Sequence, residues 1–311
     1  MGQNSKIEWT DHTFSPWWGC TKVSSGCANC YAETFSNRFG SWFGKDSPRR
    51  FFDQKHWGEP LKWDRKAAKA GIKSKVFCGS MCDVFEDRPD LVEPRKQLYE
   101  LILKTPNMIW MLLTKRPQNM QKLLPKEWLS FGAYTELGNL HNQSAFPQNV
   151  WLGISAENQE QFHKRWPILE WIGRHWKSPV LFISAEPLLG PLNISGWAEP
   201  QYREISEDVI IHTRGIDWVI CGGESGLKAR PMHPDWPMEL LNDCDFADIP
   251  FFFKQQGEWA PVSEFTGSNG ANLGGKLRHV LMGNQKMQFV GKKLAGALLD
   301  GQEYKQFPEV K

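Results

Sequence analysis

The sequence predicts an α/β protein built on a complete or partial parallel (β/α) barrel. Short apolar runs recur roughly every 30 to 40 residues, which is the spacing of strand–helix units in such a barrel. The runs are too short for buried helices and suit strands that are covered on both faces. Plausible helices lie between them. A doubly wound open sheet is the alternative, because periodicity alone does not establish closure.

The first unit is predicted to be a strand over 13–18, a loop with three cysteines, and a helix from 31 to about 43. The helix is predicted because aromatic residues recur every fourth position. Further strands are expected at 76–78, 108–113, 150–154, 180–183, 216–221 and 250–253. Further helices are expected at 91–104 and 159–176. Little pattern is present over 130–148 and 190–214, which predicts long loops or insertions.

The chain is expected to divide into a barrel over 1–257 and a small C-terminal appendage over 258–311. The strand rhythm stops near Glu258, and glycine-rich turns follow it. Such an appendage is too short to be a second large domain.

The composition, 41% hydrophobic and 23% charged, is that of a globular protein. No apolar run reaches the ~20 residues that span a bilayer, and the first residues lack the apolar core of a signal peptide. We therefore expect a cytoplasmic protein with no membrane partner. Seven cysteines in a reducing compartment do not favour a disulfide framework. A net charge of +2 neither favours nor excludes an anionic partner.

Three of these cysteines, Cys20, Cys27 and Cys30, lie within one loop at C-x6-C-x2-C spacing. Glycine precedes two of them, so the loop can bend three thiolates toward one point. Three thiolates on a four-iron cluster leave one iron for another ligand. Zinc is the alternative and needs a fourth ligand; the candidates are Cys78, Cys82, Cys221 and His233. Unliganded thiols are the remaining interpretation.

Charged side chains follow five successive predicted strands. The carboxyl ends of parallel barrel strands meet at one rim, so we expect these side chains to line a common polar mouth. A charged residue after a strand is otherwise only a boundary marker. The residues are Lys115, Arg116, Glu157, Glu186, Glu224 and Lys254.

The segment 45–75 is the most basic part of the chain and has aromatic residues between its cations. This pattern is typical of a nucleic-acid surface, with cations for phosphates and rings for stacking. A solvated amphipathic helix with its aromatic side chains in the core is the alternative.

Several motifs resemble a phage and bacterial family that is named for phage gene products and marked by three cysteines. They are W-x-G-C over 17–20, G-C-x-x-C-Y-A over 26–32, L-T-K-R-P over 113–117, G-I-S-A-E-N over 153–158, S-A-E-P-L-L-G over 184–190, G-G-E-S-G over 222–226, F-F-F-K-Q over 251–255 and the tail over 291–301. The family is similar to radical S-adenosylmethionine (SAM) proteins. The usual radical SAM motif is C-x3-C-x2-C with an aromatic residue before the last cysteine; here that residue is Asn29 and the aromatic Tyr31 follows.

The resemblance implies a barrel of the radical SAM type and an enzyme that reductively cleaves SAM, using a 4Fe-4S cluster on Cys20, Cys27 and Cys30. It also implies a low-potential electron donor and an unknown substrate, for which we favour a nucleic acid or nucleotide. The expected catalytic residues are Lys115, Arg116, Glu157, Glu186 and Lys254. The expected cofactor-binding residues are Tyr31, Ser155, Ser184, Gly222, Gly223 and Glu224.

Two other functions are compatible with the sequence. One is a nucleic-acid-binding protein without catalysis, whose N-terminal loop is stapled by zinc or a structural cluster. The other is a hydrolase that uses the glutamates, and it leaves the three cysteines unexplained.

Overall fold

A seven-stranded parallel sheet forms the centre of the protein. The computed structural model describes residues 4–128, 146–199, 202–206, 209–262 and 278–309. The strands are β1 (His12–Phe14), β2 (Ser74–Cys78), β3 (Met108–Thr114), β4 (Val150–Ser155), β5 (Leu181–Ala185), β6 (Tyr202–Ser206), β7 (Val209–His212), β8 (Trp218–Gly222), β9 (Phe251–Gln255), β10 (Trp259–Pro261), β11 (His279–Met282) and β12 (Gln285–Phe289). The large sheet has the order β1-β2-β3-β4-β5-β8-β9, so its strands follow the chain. This confirms the predicted α/β fold with seven parallel strands.

The described ranges contain eight α-helices, which are α1 (Tyr31–Ser36), α2 (Gln54–Trp57), α3 (Glu59–Ala70), α4 (Val92–Leu103), α5 (Met120–Leu123), α6 (Gln159–Trp176), α7 (Asp235–Phe246) and α8 (Lys292–Ala295). All of these helices except α1 and α8 contribute side chains to the core on the outer face of the sheet. The longest, α6, begins where the Asn158 side chain accepts a hydrogen bond from the Gln161 amide at 3.0 Å. Its bounds match the predicted helix 159–176. None of the helices in the described ranges is long and apolar enough to cross a membrane.

The sheet curls, and its concave face holds a core of its own. Side chains from β2, β3, β4, β5, β8 and β9 meet there. Trp9, which precedes β1, lies 6.4 Å from Trp218 of β8, ring centre to ring centre. Gly153 leaves room for the Phe182 ring, because a Cβ there would lie 2.3 Å from it. The interior of the partial barrel is therefore filled with rings, as in other barrels with packed interiors.

The two outer strands of the sheet, β1 and β9, are not neighbours in the sheet order. The C-terminal tail lies against the open edge of β9. The Phe253 amide donates to the Tyr304 carbonyl at 2.8 Å, and Phe307 lies 5.4 Å from Trp218. The fold is thus a partial barrel, and its open edge is covered by residues from the end of the chain. β10, β12 and β11 form a separate small sheet; the domain boundary at 257/258 stays a prediction.

Two local predictions in the first unit were wrong in extent. β1 ends at Phe14, and Trp18 instead pairs with Arg50 in an isolated antiparallel bridge. α1 ends at Ser36, because the chain then turns into a loop whose carbonyls, at Trp42, Gly44 and Ser47, accept hydrogen bonds from the buried Arg49 guanidinium.

Two segments were predicted to form long loops or insertions. The segment 190–214 contains the β6–β7 hairpin. Most of the segment 130–148 lies outside the described residues.

Candidate functional site

A cavity of about 250 Å³ opens at the carboxyl ends of the parallel strands. Cys20, Cys27 and Cys30 all border it. So do side chains from the ends of β2, β3, β4, β5, β8 and β9. The predicted site residues on its wall are Tyr31, Lys115, Arg116, Ser155, Ser184, Glu186, Gly223, Glu224 and Lys254. The chain order of the strands thus brings the cysteine loop and the polar strand ends to one place.

The floor of the cavity is apolar. It is formed by Ile7, Trp9, Phe77 and Leu113, which belong to the concave core or pack against it. Trp9 and Phe77 are in ring contact, with centres 4.7 Å apart. A site with an apolar floor and a polar rim is the usual form of a small-molecule pocket.

Glu157, at the end of β4, does not border the cavity. It is completely buried, accepts a hydrogen bond from the Gly26 amide at 3.0 Å, and pairs with Arg165 of α6 at 2.8 Å. Burial alone would raise the pKa of Glu157, but the charge of Arg165, with smaller effects of Lys115 and the Gly26 N–H, outweighs burial and holds this pKa below its usual value. A Cβ at Gly26 would lie 2.9 Å from the Glu157 carboxyl carbon, so a larger residue there would displace this carboxylate. Glu157 therefore anchors the cysteine loop.

Glu224, at the end of β8, borders the cavity and also anchors this loop. Asn29 donates to its carboxylate at 2.9 Å, and Arg230 binds both of its oxygens at 2.6 and 2.9 Å. Arg230 also donates to the Ser25 carbonyl at 3.0 Å. Burial favours a raised pKa for Glu224, but the hydrogen bonds from Arg230 and Asn29 outweigh it, so this pKa is lowered. Asn29 is thus a structural contact of the cysteine loop.

Arg116, after β3, holds the other end of the cysteine loop. Its guanidinium donates to the Thr21 carbonyl at 2.5 Å, pairs with Asp83 at 2.8 Å, and lies 3.5 Å from the Cys20 sulfur. Arg49 donates to the Thr21 hydroxyl at 3.1 Å and is itself held by a fully buried pair with Glu86. Two arginines that are oriented by acids therefore fix the chain at Thr21, directly after Cys20.

Two cations remain directed to the cavity itself. Lys254 pairs with Glu186 at 2.9 Å, and both border the cavity. The half-buried Lys115 side chain has no ion pair within the described ranges. Lys115, Lys254 and Glu186 are thus the charged rim groups that do not hold the cysteine loop, whereas Glu157, Glu224 and Arg116 do.

The small residues at the strand ends bring the backbone close to this rim. Gly222 does not border the cavity, but a Cβ there would lie 3.0 Å from a Glu186 oxygen. A Cβ at Gly223 would lie 2.0 Å from the Gln256 carbonyl, so only glycine allows the end of β8 to approach the chain that follows β9.

Tyr31 donates its hydroxyl hydrogen to the Ser80 carbonyl at 2.6 Å.

The donor set suits a metal cluster, although the described residues contain no preassembled group of three Cys, His, Asp or Glu side chains at metal-binding separation. The three thiols border one cavity, and thiolates are the ligands of iron–sulfur clusters and of structural zinc. Burial raises the pKa of Cys20 to about 12 despite the opposing effect of Arg116, and burial also raises the pKa of Cys30. Metal binding would release these protons.

The other sequence candidates are distributed differently. Cys82 borders the same cavity, whereas Cys78, Cys221 and His233 do not. In the segment 45–75, Trp57 and Trp63 are buried in the outer core, and the lysines of α3 are exposed. The helix α3 is therefore amphipathic, with exposed lysines and its one aromatic side chain, Trp63, in the core.

The sequence did not predict which residues anchor the cysteine loop. These are Asp83, Arg165, Arg230, Arg49 and Asn29. Arg165 lies in the middle of a helical pattern, and Asp83 and Arg230 lie in irregular segments. The available signal was indirect: a buried strand-end carboxylate such as Glu157 needs a cationic partner.

The sequence matches the family model described as "Protein of unknown function (DUF5131)" over residues 4–308. The chain belongs to this family. No curated protein matches the DUF5131 chain. It is similar to a solved structure titled "Spore photoproduct lyase complexed with dinucleoside spore photoproduct", with 10% identity and a TM-score of 0.44, over 95% of this chain and 72% of that one.

Proposed function

We propose that this DUF5131 protein is a radical SAM-type iron–sulfur enzyme. The observation that supports this most is the position of Cys20, Cys27 and Cys30, which border one cavity together with the strand ends. Three thiolates suit a four-iron cluster with one iron open to a chelating ligand. A bound cluster would supply the electron for reductive cleavage of SAM. The protein would orient SAM and the substrate and shield them from water.

The protein holds the cysteine loop in place before any ligand binds. Glu157 and Glu224 fix the turn around Gly26 and Asn29, and Arg116 fixes Thr21. Because these anchors are buried or half-buried, they lose little to solvent screening. We propose that Glu157, Glu224 and Arg116 are positioning residues rather than groups that contact the substrate.

The remaining rim side chains would bind ligands. Lys115 and Lys254 would hold a carboxylate or phosphate, and Glu186 a hydroxyl or cationic group. Tyr31, Ser155, Ser184 and Gly223 would face the cofactor. The apolar floor, which includes Trp9, would exclude water from the reacting groups.

Other parts of the proposal concern the setting of the enzyme. We propose a nucleic acid or nucleotide substrate, a low-potential electron donor, a phage association and a cytoplasmic location. The appendage over 258–311 is proposed as a separate small unit on the barrel.

A second candidate is a zinc-stapled binding protein, and one observation favours it. Cys82 borders the cavity with the three loop cysteines, so a fourth thiol is available. In that case a tetrahedral zinc would close the site without an open coordination position.

Anaerobic reconstitution with iron and sulfide tests the ligand assignment. The wild-type protein is expected to show a broad band near ~400 nm and about four irons per chain. Cys27→Ser should lose this band while keeping the far-ultraviolet circular dichroism spectrum. Cys82→Ser, which changes a thiol on the same cavity, is the matched control and should keep the iron. Full iron content in Cys27→Ser would refute the assignment, and bound zinc lost in both variants would favour the second candidate.

A further inference from the structure

A row of exposed aromatic rings leads away from the cavity. Tyr31, Phe35 and Phe39 follow one another at four-residue spacing, in α1 and the turn after it. Their exposed fractions are 55%, 40% and 61%. Soluble proteins rarely leave several large rings exposed side by side unless the surface binds something.

The row continues into a cluster that contains an arginine. Phe35 and Phe39 lie 5.7 and 6.5 Å from the Trp18 ring, and 5.3 Å from each other. The Arg50 guanidinium lies 4.6 Å from the centre of the Trp18 ring. We call Trp18, Tyr31, Phe35, Phe39 and Arg50 the aromatic platform.

The platform is continuous with the candidate site. Tyr31 belongs to the platform and to the cavity wall, and its hydroxyl is fixed on the Ser80 carbonyl. It also directly follows Cys30 in the chain. A molecule that lies along the platform therefore reaches the cavity mouth.

The charge around the platform is positive. Residues 31–57 contain five lysines and arginines and three acids. Arg49 is neutralised by Glu86 at 2.8 Å and Glu33 by Lys22 at 2.7 Å, which leaves four cations and two acids. Arg38 and Lys45 are exposed and have no ion pair within the part of the chain that the structure describes. An apolar protein partner would leave these cations uncompensated, whereas a polyanion would pair with them.

We propose that the aromatic platform binds single-stranded nucleic acid. Bases would stack on Phe35 and Phe39, and phosphates would contact Arg38, Lys45 and Arg50. Rings combined with cations are the usual means of binding a single strand without sequence preference. In a duplex the base faces are covered, so the platform selects unpaired strands. This inference rests on the proposed function. It identifies the substrate as a nucleotide within a single strand, which would enter the cavity beside Tyr31.

Fluorescence anisotropy with labelled oligothymidylate and oligouridylate tests this proposal on the full chain, with no SAM or reductant added. Base–aromatic stacking contributes about 1–3 kcal/mol per base, which corresponds to about 5- to 150-fold in affinity. Phe35→Ala/Phe39→Ala should therefore weaken binding at least about fivefold. Phe246→Ala is the matched control, since Phe246 at the end of α7 is 87% exposed and lies outside the platform; it should bind like the wild type. Binding should also weaken with added salt.

Either of two results would overturn the proposal: a wild-type protein that binds neither oligonucleotide, or a double variant that binds both as tightly as the wild type does. If the wild type binds neither and is a dimer that dissociates in the double variant, a second copy of the chain is the occupant instead. Neither outcome depends on SAM cleavage, so failure of the platform and failure of the radical chemistry are distinguishable.

Discussion

Replacing Glu157 with glutamine tests whether the strand ends hold the cysteine loop. Glu157 is fully buried between Arg165, at 2.8 Å, and the Gly26 amide, at 3.0 Å. Glu157→Gln keeps the shape and one acceptor for Gly26, but it removes the charge that balances Arg165. The variant therefore leaves a buried guanidinium without its counter-ion.

The structure sets the size of the expected effect. Removing one partner of a buried ion pair costs about 3–5 kcal/mol. Glutamine retains the hydrogen bond to Gly26, so the lower end, about 3 kcal/mol, applies. If the free energy of unfolding falls by about 3 kcal/mol per M of urea, the unfolding midpoint of the variant should lie about 1 M lower than that of the wild type. The loop should also loosen, so reconstituted iron should be lost faster during gel filtration.

Urea unfolding followed by tryptophan fluorescence measures the shift. Glu160→Gln is the matched control, because Glu160 lies three residues away in α6 and forms an exposed pair with Lys164. Exposed pairs at this spacing contribute about 0.3–0.5 kcal/mol, so the control should unfold close to the wild type. An unchanged midpoint and iron content in Glu157→Gln would refute the anchoring role.

Two further changes probe the same anchors. Gly26→Ala should lower the free energy of unfolding by about 1–3 kcal/mol and reduce iron retention, because its Cβ would lie 2.9 Å from the Glu157 carboxyl carbon. A melting temperature and an iron content equal to those of the wild type would contradict the assigned contact. Glu224→Gln should flatten the acid dependence of stability. The pKa of Glu224 is lowered in the folded state, so its contribution is complete above the ordinary value of about 4.3 and is lost as the pH falls through the folded-state pKa. Melting temperatures between about pH 6 and pH 3 should then fall more steeply for the wild type than for the variant, and parallel curves would contradict the linkage.

The sequence was sufficient to predict six of the seven strands of the barrel, because each of these contains a short apolar run. β4, for example, is buried along its whole length. The first strand, β1, has only one apolar residue, Phe14, and its extent was predicted wrongly. The sequence was not sufficient to predict the short α1, because the exposed rings at Phe35 and Phe39 have the spacing of a buried helix face. The closing contacts of the tail, such as Phe307 on Trp218, join residues far apart in the chain and leave no local pattern.

The sequence predicted where the site residues lie, but it did not predict which of them contact the cysteine loop. The convergence of the cysteine loop with Lys115, Glu186 and Lys254 follows from the rule that parallel strand ends share a rim. The engagement of Glu157 and Glu224 with that loop depends on Arg165 and Arg230, whose positions only tertiary packing determines. The three strand-end carboxylates look alike in the sequence, but Glu157 and Glu224 hold the loop, whereas Glu186 pairs with Lys254 at the cavity.

The central claim is that the cysteine loop carries a cluster that cleaves SAM. The most direct measurement is the release of deoxyadenosine and methionine from SAM by the anaerobically reconstituted protein after dithionite reduction. We expect both products from the wild type and neither from Cys27→Ser. A reconstituted wild-type protein that holds its iron and sulfide but releases no deoxyadenosine would contradict the claim.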